Sequence, residues 1–376
     1  MTAKLTFFPT GNADTTLIRL ADDRLVLLDY ADMHNPDDPY DQRCDLAVEL
    51  RKELSDADQK DFAVVCFTHL DDDHVCGTGD FFWLQHAAKY QVAGRPKIKE
   101  MWVPASAITE EGVEDSARIV RQEARHRLKA GTGIKVFSRP EALATFLADN
   151  GLTLESRAHC IVDAGLTVPG FSKSGPESAE FFVHCPFAWR SDERGLEDRN
   201  QDSVVLQVTF SEGFAETYGL FGSDVDHTTL SQIVRTTKRH KREGRLVWDI
   251  MKLFHHCSYK SLGPDRGIDE TDAVPDVKWL FEDQSRDGCI IVSSSKPIPL
   301  KGSTEDDDRQ PPHRQAANHH RRVVRDRGGE FKVTMETPST SRPKPFRIEI
   351  TRFGARSLLI APTATGIITS TPARAG

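Results

Sequence analysis

The sequence predicts an α/β protein built from two β-sheets with helices on their outer faces. Three observations lead there. Strand-like runs cluster at both ends of the chain, helical periodicity fills the intervals between them, and nothing repeats at periods of about 20–50 residues. One sheet is expected from each half.

The elements follow in order. Lys4–Phe8, Thr15–Leu20 and Leu25–Asp29 read as strands separated by turn chemistry at Gly11-Asn12 and Asp22-Asp23. Asp45–Leu54 carries helical spacing, with Leu46, Val48, Leu50 and Leu54 apolar. Ala63–Phe67 is a continuous apolar run, as suits a strand covered on both faces. Phe81–Tyr90, Asp115–Lys129 and Glu141–Asp149 are expected as helices, with a strand at Met101–Pro104. Pro169 to Ser178 is expected as a loop. Phe181–Cys185, Ser203–Phe210, Tyr218–Phe221, Asp249–Phe254 and Cys289–Val292 read as strands, and His227–His240 and His313–Arg327 as helices. Phe331–Thr337 and Phe346–Arg352 are expected to close as a hairpin.

Composition bounds the function. Of 376 residues, 38 % are hydrophobic and 28 % charged, which excludes a disordered or fibrous chain. Lys plus Arg is 49 and Asp plus Glu is 57, a net charge of −8, so nucleic acid would have to be held by local patches. Two such patches stand out, Arg235 to Arg245 and His319 to Arg327. No run of about 18 apolar residues predicts a membrane span, and the N-terminus lacks the apolar core of a signal peptide. The cysteines at 44, 66, 76, 160, 185, 257 and 289 are odd in number and lack CxxC spacing. They are expected to be reduced thiols in a cytoplasmic protein.

Thr68-His69-Leu70-Asp71-Asp72-Asp73-His74 follows the buried run directly. It concentrates two imidazoles and three carboxylates where a divalent metal needs converging ligands. If the loop stays extended, His69, Asp71 and Asp73 share one side. Gly222-Ser223-Asp224 and His255-His256-Cys257-Ser258 are two further strand ends that deliver candidate ligands.

Together these strand ends resemble the metallo-β-lactamase superfamily. In particular they resemble stand-alone relatives of the lactamase-like domain of the competence protein ComEC. Phe8-Pro9-Thr10-Gly11-Asn12-Ala13-Asp14 and Leu27-Leu28-Asp29 match the family's opening strands, and Thr68 to His74 its Thr-His-x-Asp-x-Asp-His. His184-Cys185-Pro186, Asn200-Gln201-Asp202-Ser203, Gly222-Ser223-Asp224 and His255-His256-Cys257-Ser258 follow in the family's order. Cys257 stands where the family usually has Gly, Ala13 replaces a second Gly, and Ser223 interrupts a Gly-Asp pair.

The resemblance implies a four-layer αββα metallo-β-lactamase sandwich over residues 1–352, with 353–376 a C-terminal strand and frayed tail. It implies two divalent metal ions, Zn or Mn. His69 and Asp71 would hold the first, Asp73 and His74 the second. Asp224 would bridge, with His255 or His256 completing the second. His184 is either a further ligand of the first or a structural strand-end residue. Asp73 and Asp224 would be catalytic; Asp72 and Asp29 would support the ligands. Asn200, Ser203, Ser258 and Lys260 would contact substrate, and His313 would point toward the site. His227 reads as a helix N-terminal residue.

The implied activity is a phosphodiesterase or nuclease in which hydroxide shared by two metals attacks a phosphodiester of nucleic acid or a nucleotide. The alternatives are hydrolysis of a small ester or thioester, or a metal-domain subunit of a multi-protein system, for example in defence, that acts only with its partner.

Overall fold

A computed structural model describes residues 2–189, 192 and 199–358. Among them, strands form two sheets. The first has the order β15-β14-β1-β2-β3-β4-β5-β6-β7, from β1 (Lys4–Phe7), β2 (Thr16–Arg19), β3 (Leu25–Leu28), β4 (Phe62–Cys66), β5 (Ile98–Pro104), β6 (Ile134–Phe137), β7 (Ile161–Val162), β14 (Phe346–Thr351) and β15 (Gly354–Leu358). The second has the order β13-β12-β11-β10-β9-β8, from β8 (Ala179–Cys185), β9 (Val205–Glu212), β10 (Ala215–Phe221), β11 (Trp248–Lys252), β12 (Ser285–Ser293) and β13 (Glu330–Val333).

Strands β3 to β7 pair in parallel, as do β10 to β13. Parallel neighbours need crossovers, and helices supply them. These are α1 (Leu46–Asp56), α2 (Asp115–Ala130) and α3 (Glu141–Asp149) on the first sheet, and α4 (His227–Arg239) and α5 (Arg314–Asp326) on the second.

Strand alternation sorts side chains into three cores. Val26, Val64 and Trp102 meet Phe181, Val183, Leu206, Ile250 and Ile290 between the sheets. Their neighbours Leu27, Val65 and Met101 face away, against Leu50 of α1 and Val120 and Leu128 of α2. Leu220, Met251 and Ile291 pack on Leu230 and Ile233 of α4 and Val323 of α5. The result is the αββα sandwich expected from the sequence.

Two local expectations are corrected. Phe81–Tyr90 is not a helix: one turn spans Thr78–Phe81 and a 3-10 turn spans Ala88–Tyr90. Between them the Glu123 carboxylate accepts the backbone N–H groups of Gln85 and His86, and Trp83 bridges to Lys97, so the helical bonds have competitors. Residues 331–337 and 346–352 do not form a hairpin either. β13 extends the second sheet beside β12, whereas β14 crosses to the first and pairs with β1 and β15. The first sheet therefore draws strands from both chain ends.

Residues 359–376 of the expected tail lie outside the described residues. All seven cysteines are free thiols. Among the described residues no helix is long and apolar enough to cross a membrane.

Candidate metal centre

The carboxyl ends of parallel strands are where an open α/β sheet presents its functional loops. Here β3, β4, β10 and β11 converge at one edge of the sandwich. β3 ends in Asp29, which takes the left-handed conformation (φ 58°). Its carboxylate accepts the Thr68 N–H and the Thr68 hydroxyl, both at 2.7 Å, and fixes the chain as it leaves β4. The loop does not stay extended. Asp72–Val75 form one helical turn, which brings the His74 ring to 3.9 Å from the His69 ring, centroid to centroid.

His74 Nδ1 lies 2.8 Å from Asp29 Oδ2, so that nitrogen carries the proton and Nε2 turns inward. Inward of it lie Asp224 Oδ1 at 3.4 Å and Asp14 Oδ2 at 3.9 Å. His256 arrives from the turn after β11. Its Nδ1 bonds the Ser294 carbonyl at 2.8 Å, and its Nε2 faces Asp73 at 3.1 Å and Asp224 at 3.4 Å. His255 Nε2 is 3.9 Å from Asp224 and more exposed. His69 Nε2 lies 3.5 Å from Asp71, and the Ser223 hydroxyl is 3.2 Å from His69 Nδ1.

Two overlapping groups result, each compact enough to surround a cation. One is Asp14, His74, Asp224 and His256; the other is His69, Asp73 and His74. Four of their buried atoms have no hydrogen-bond partner: His69 Nε2, His74 Nε2, Asp224 Oδ1 and Asp14 Oδ1. Buried polar atoms are nearly always satisfied, so converging orphans of this kind suit a bound cation. The donor set of imidazole and carboxylate suits a divalent metal of borderline or hard character.

The electrostatics agree. Burial works against the charge on His74, but Asp29 and Asp224 outweigh it and raise its pKa well above the usual imidazole range. Burial also opposes charge on His256, yet Asp224 and Asp14 raise it to about 10. Burial pushes Asp224 up, and the adjoining His256 and His74 rings pull it well below the ordinary carboxylate value. Positive charge is what this carboxylate cluster demands.

Three consecutive residues, His255, His256 and Cys257, hold positive φ of 44°, 50° and 67°. That conformation costs a non-glycine residue about 1–2 kcal/mol. Glycine would take it without that cost. Here the cysteine keeps the left-handed turn and buries its side chain beneath the second sheet.

Of the expected site residues, the structure brings together His69, Asp71, Asp73, His74, Asp224, His255 and His256. It does not bring His184 to them. Val183 faces the inter-sheet core, and the next side chain, His184, faces α4 instead, where its Nε2 donates to the Arg245 carbonyl at 2.8 Å. Asn200 and Ser203 lie beside the cluster, because Val204 N donates to the Thr68 carbonyl; the Ser203 hydroxyl donates to Asn200 O at 2.6 Å. Ser258 is buried and caps the turn carrying the exposed Lys260. His227 opens α4 after an Asp226 cap. His313 is buried behind the His255–Cys257 turn, its N–H donating to the Cys257 carbonyl. In the second basic stretch, His319 and His320 are buried beside Phe281.

Three residues were not singled out from the sequence. Asp14 is buried in the cluster, and its N–H donates to the Asp73 carbonyl at 2.9 Å. Lys252 is buried against the Asp14 carboxylate and also donates to the Gly222 carbonyl at 3.0 Å. A lysine interrupting the otherwise apolar Ile250–Phe254 was the available signal. Arg199 pairs with Asp71 at 2.7 Å and with Glu110. Burial raises Asp71, but His69 and Arg199 outweigh it and hold the carboxyl well below its usual range.

No family model and no curated protein matches the chain. Several solved structures are similar to it. A new diphosphatase from the PhnP family shows 12 % identity and a TM-score of 0.33, covering 88 % of this chain and 94 % of that one. Unliganded yeast PDE1 shows 10 % identity and a TM-score of 0.42, covering 88 % and 96 %. The class B3 di-zinc metallo-beta-lactamase LRA-12 from an Alaskan soil metagenome shows 10 % identity and a TM-score of 0.28, covering 65 % and 76 %.

Proposed function

We propose that the protein is a metal-dependent phosphodiesterase of the metallo-β-lactamase type, similar to the ComEC lactamase-like domain, acting on nucleic acid or a nucleotide. One observation carries this reading: the four orphaned, buried ligand atoms on His69, His74, Asp14 and Asp224 converge at one strand-end cluster. In this reading His69 and Asp71 would hold one divalent ion, and Asp73, His74 and His256 the other. Asp224 would be available to both, and Zn or Mn is the expected metal. A metal pair in such a site supplies Lewis acidity and a nucleophile at neutral pH.

The chain's own residues prepare that chemistry. Asp29 keeps the His74 proton on Nδ1 and Nε2 free. The Ser223 hydroxyl braces His69, and Lys252 compensates Asp14. In this reading Arg199, beside Asp71, and Lys260, in the turn that Ser258 caps, would contact a phosphate.

The test is hydrolysis of bis(p-nitrophenyl) phosphate and of end-labelled single- and double-stranded DNA and RNA, with added Mn²⁺ or Zn²⁺. The Asp73→Ala, His74→Ala double variant runs beside the wild type. Cleavage by the wild type alone is the expected result. Equal cleavage by both, or by neither, overturns the reading.

A further inference from the structure

A second cavity, of about 370 Å³, lies on the outer face of the second sheet between β8 and α4. Its two kinds of lining point the same way. One wall is aromatic: Phe187 and Trp189 stack with centroids 6.1 Å apart and planes inclined by 29°. Trp189 is 42 % exposed, although an indole is normally covered. The opposite rim is cationic. Arg239, His240 and Arg242 are exposed at the end of α4, with Lys241 among them. Arg239, Lys241 and Arg242 form no ion pair among the described residues, in a chain whose net charge is −8, and Arg242 spends one donor on the Gly165 carbonyl at 2.7 Å. The dipole of α4 accounts for cations at its carboxyl end, but not for a partly exposed indole lining the same cavity.

The floor is selective rather than greasy. His184 lines it and is buried. Its Nε2 gives its proton to the Arg245 carbonyl, which leaves Nδ1 as an acceptor.

The groove also has a direction. α4 begins three residues after Asp224 and runs 13 residues to Arg239, a span of about 20 Å. At the other side β8 ends level with Val205, whose neighbour Val204 is bonded to Thr68. The aromatic wall follows the cluster end of β8 and Arg239 ends α4 away from it, while Arg242 reaches back to the Gly165 carbonyl, beside Val183 of β8.

We infer that this groove is a binding site for single-stranded nucleic acid, with a base stacked on Trp189 and Phe187 and backbone phosphates held by Arg239 and Arg242. Stacking on an exposed aromatic beside a cationic track is how unpaired strands are held without sequence preference. A duplex hides its base faces and cannot use the indole. The inference deepens the phosphodiesterase reading, since the groove would hold a strand whose continuation reaches the cluster.

The test measures binding of fluorescein-labelled oligo(dT) to the full chain by anisotropy, with EDTA present to stop turnover. Trp189→Ala and Arg239→Ala are compared with wild type, and bis(p-nitrophenyl) phosphate turnover with added metal is followed separately. Trp189→Ala should weaken binding about tenfold. Arg239→Ala should lower the slope of log affinity against log salt by about 0.7. Both should leave turnover of the small ester and the urea midpoint unchanged, because both side chains are exposed and neither touches the cluster. Failure of the wild type to bind oligo(dT), binding unaffected by either substitution, or equal affinity for a blunt duplex overturns the groove assignment whatever the turnover shows. Groove-dependent binding without turnover of the small ester keeps it and overturns the phosphodiesterase reading instead.

Discussion

Asp29 Oδ2 and His74 Nδ1 stand 2.8 Å apart, both buried, 45 positions apart in the sequence. The same carboxylate accepts two bonds from Thr68, so one side chain sets both the exit of β4 and the tautomer of the imidazole it presents. Asp29→Asn keeps a residue tolerant of positive φ but offers an amide where an acceptor is needed. Metal affinity should fall by about 10- to 100-fold. Titration with Zn²⁺ or Mn²⁺ by calorimetry checks this, and an unchanged affinity would show that Asp29 does not act through His74.

Lys252 and Asp14 form a buried pair that ties the second sheet to the first. Removing one member strands the other's charge in the interior. Lys252→Met should cost about 3–5 kcal/mol. The double variant Lys252→Met, Asp14→Asn should recover part of that loss. Urea midpoints of the four proteins form the cycle, and strict additivity would contradict the pairing.

Gly222 sits two residues before Asp224, and a Cβ there would overlap the Phe254 ring. Phe254 cannot retreat, because it is buried against the ring of Phe281. Gly222→Ala should therefore destabilise by about 1–3 kcal/mol and weaken metal binding by shifting Asp224. Thermal unfolding together with metal content after dialysis reads both effects. Full stability would mean that the turn has room.

Glu123 lies far from the cluster and gives a prediction about acid. Burial raises its pKa, but the His86 ring and the Arg127 guanidinium outweigh that and hold it at about 2. The folded value lies below the unfolded one of about 4.3, so its stabilisation is complete above that pH and disappears as pH falls toward 2. Glu123→Gln should cost roughly 3 kcal/mol at pH 7. The gap from wild type should narrow between pH 4 and pH 2. Urea unfolding across that range checks it; a constant gap would mean that the ionised form is not what stabilises.

The loop from His69 to His74 was legible because its groups are close in sequence and follow an apolar strand. From their own residues Asp224 and His256 were legible only as strand ends; the resemblance set them beside His74, and the pairing of β10 with β11 and the closure of the two sheets are what bring them there. Lys252 was hidden because an apolar strand gives no sign of which buried carboxylate waits for its last residue. His184 shows the limit of strand parity. Alternation separates Val183 from His184, but sequence does not say which of the two faces looks inward. The Phe81–Tyr90 segment failed for a related reason: the Glu123 carboxylate that captures its N–H groups arrives from a helix more than thirty positions later.

The cluster draws Asp14, His69, Asp73 and His74 from the first sheet and Asp224 and His256 from the second. The first sheet gathers His69, Asp73 and His74 by itself, but the group of Asp14, His74, Asp224 and His256 needs both sheets. During synthesis that four-residue group cannot close until residue 256 has left the ribosome and the second sheet has docked. The proposed activity would thereby wait for assembly, and a truncated or half-folded chain would lack the four-residue group without any added inhibitor.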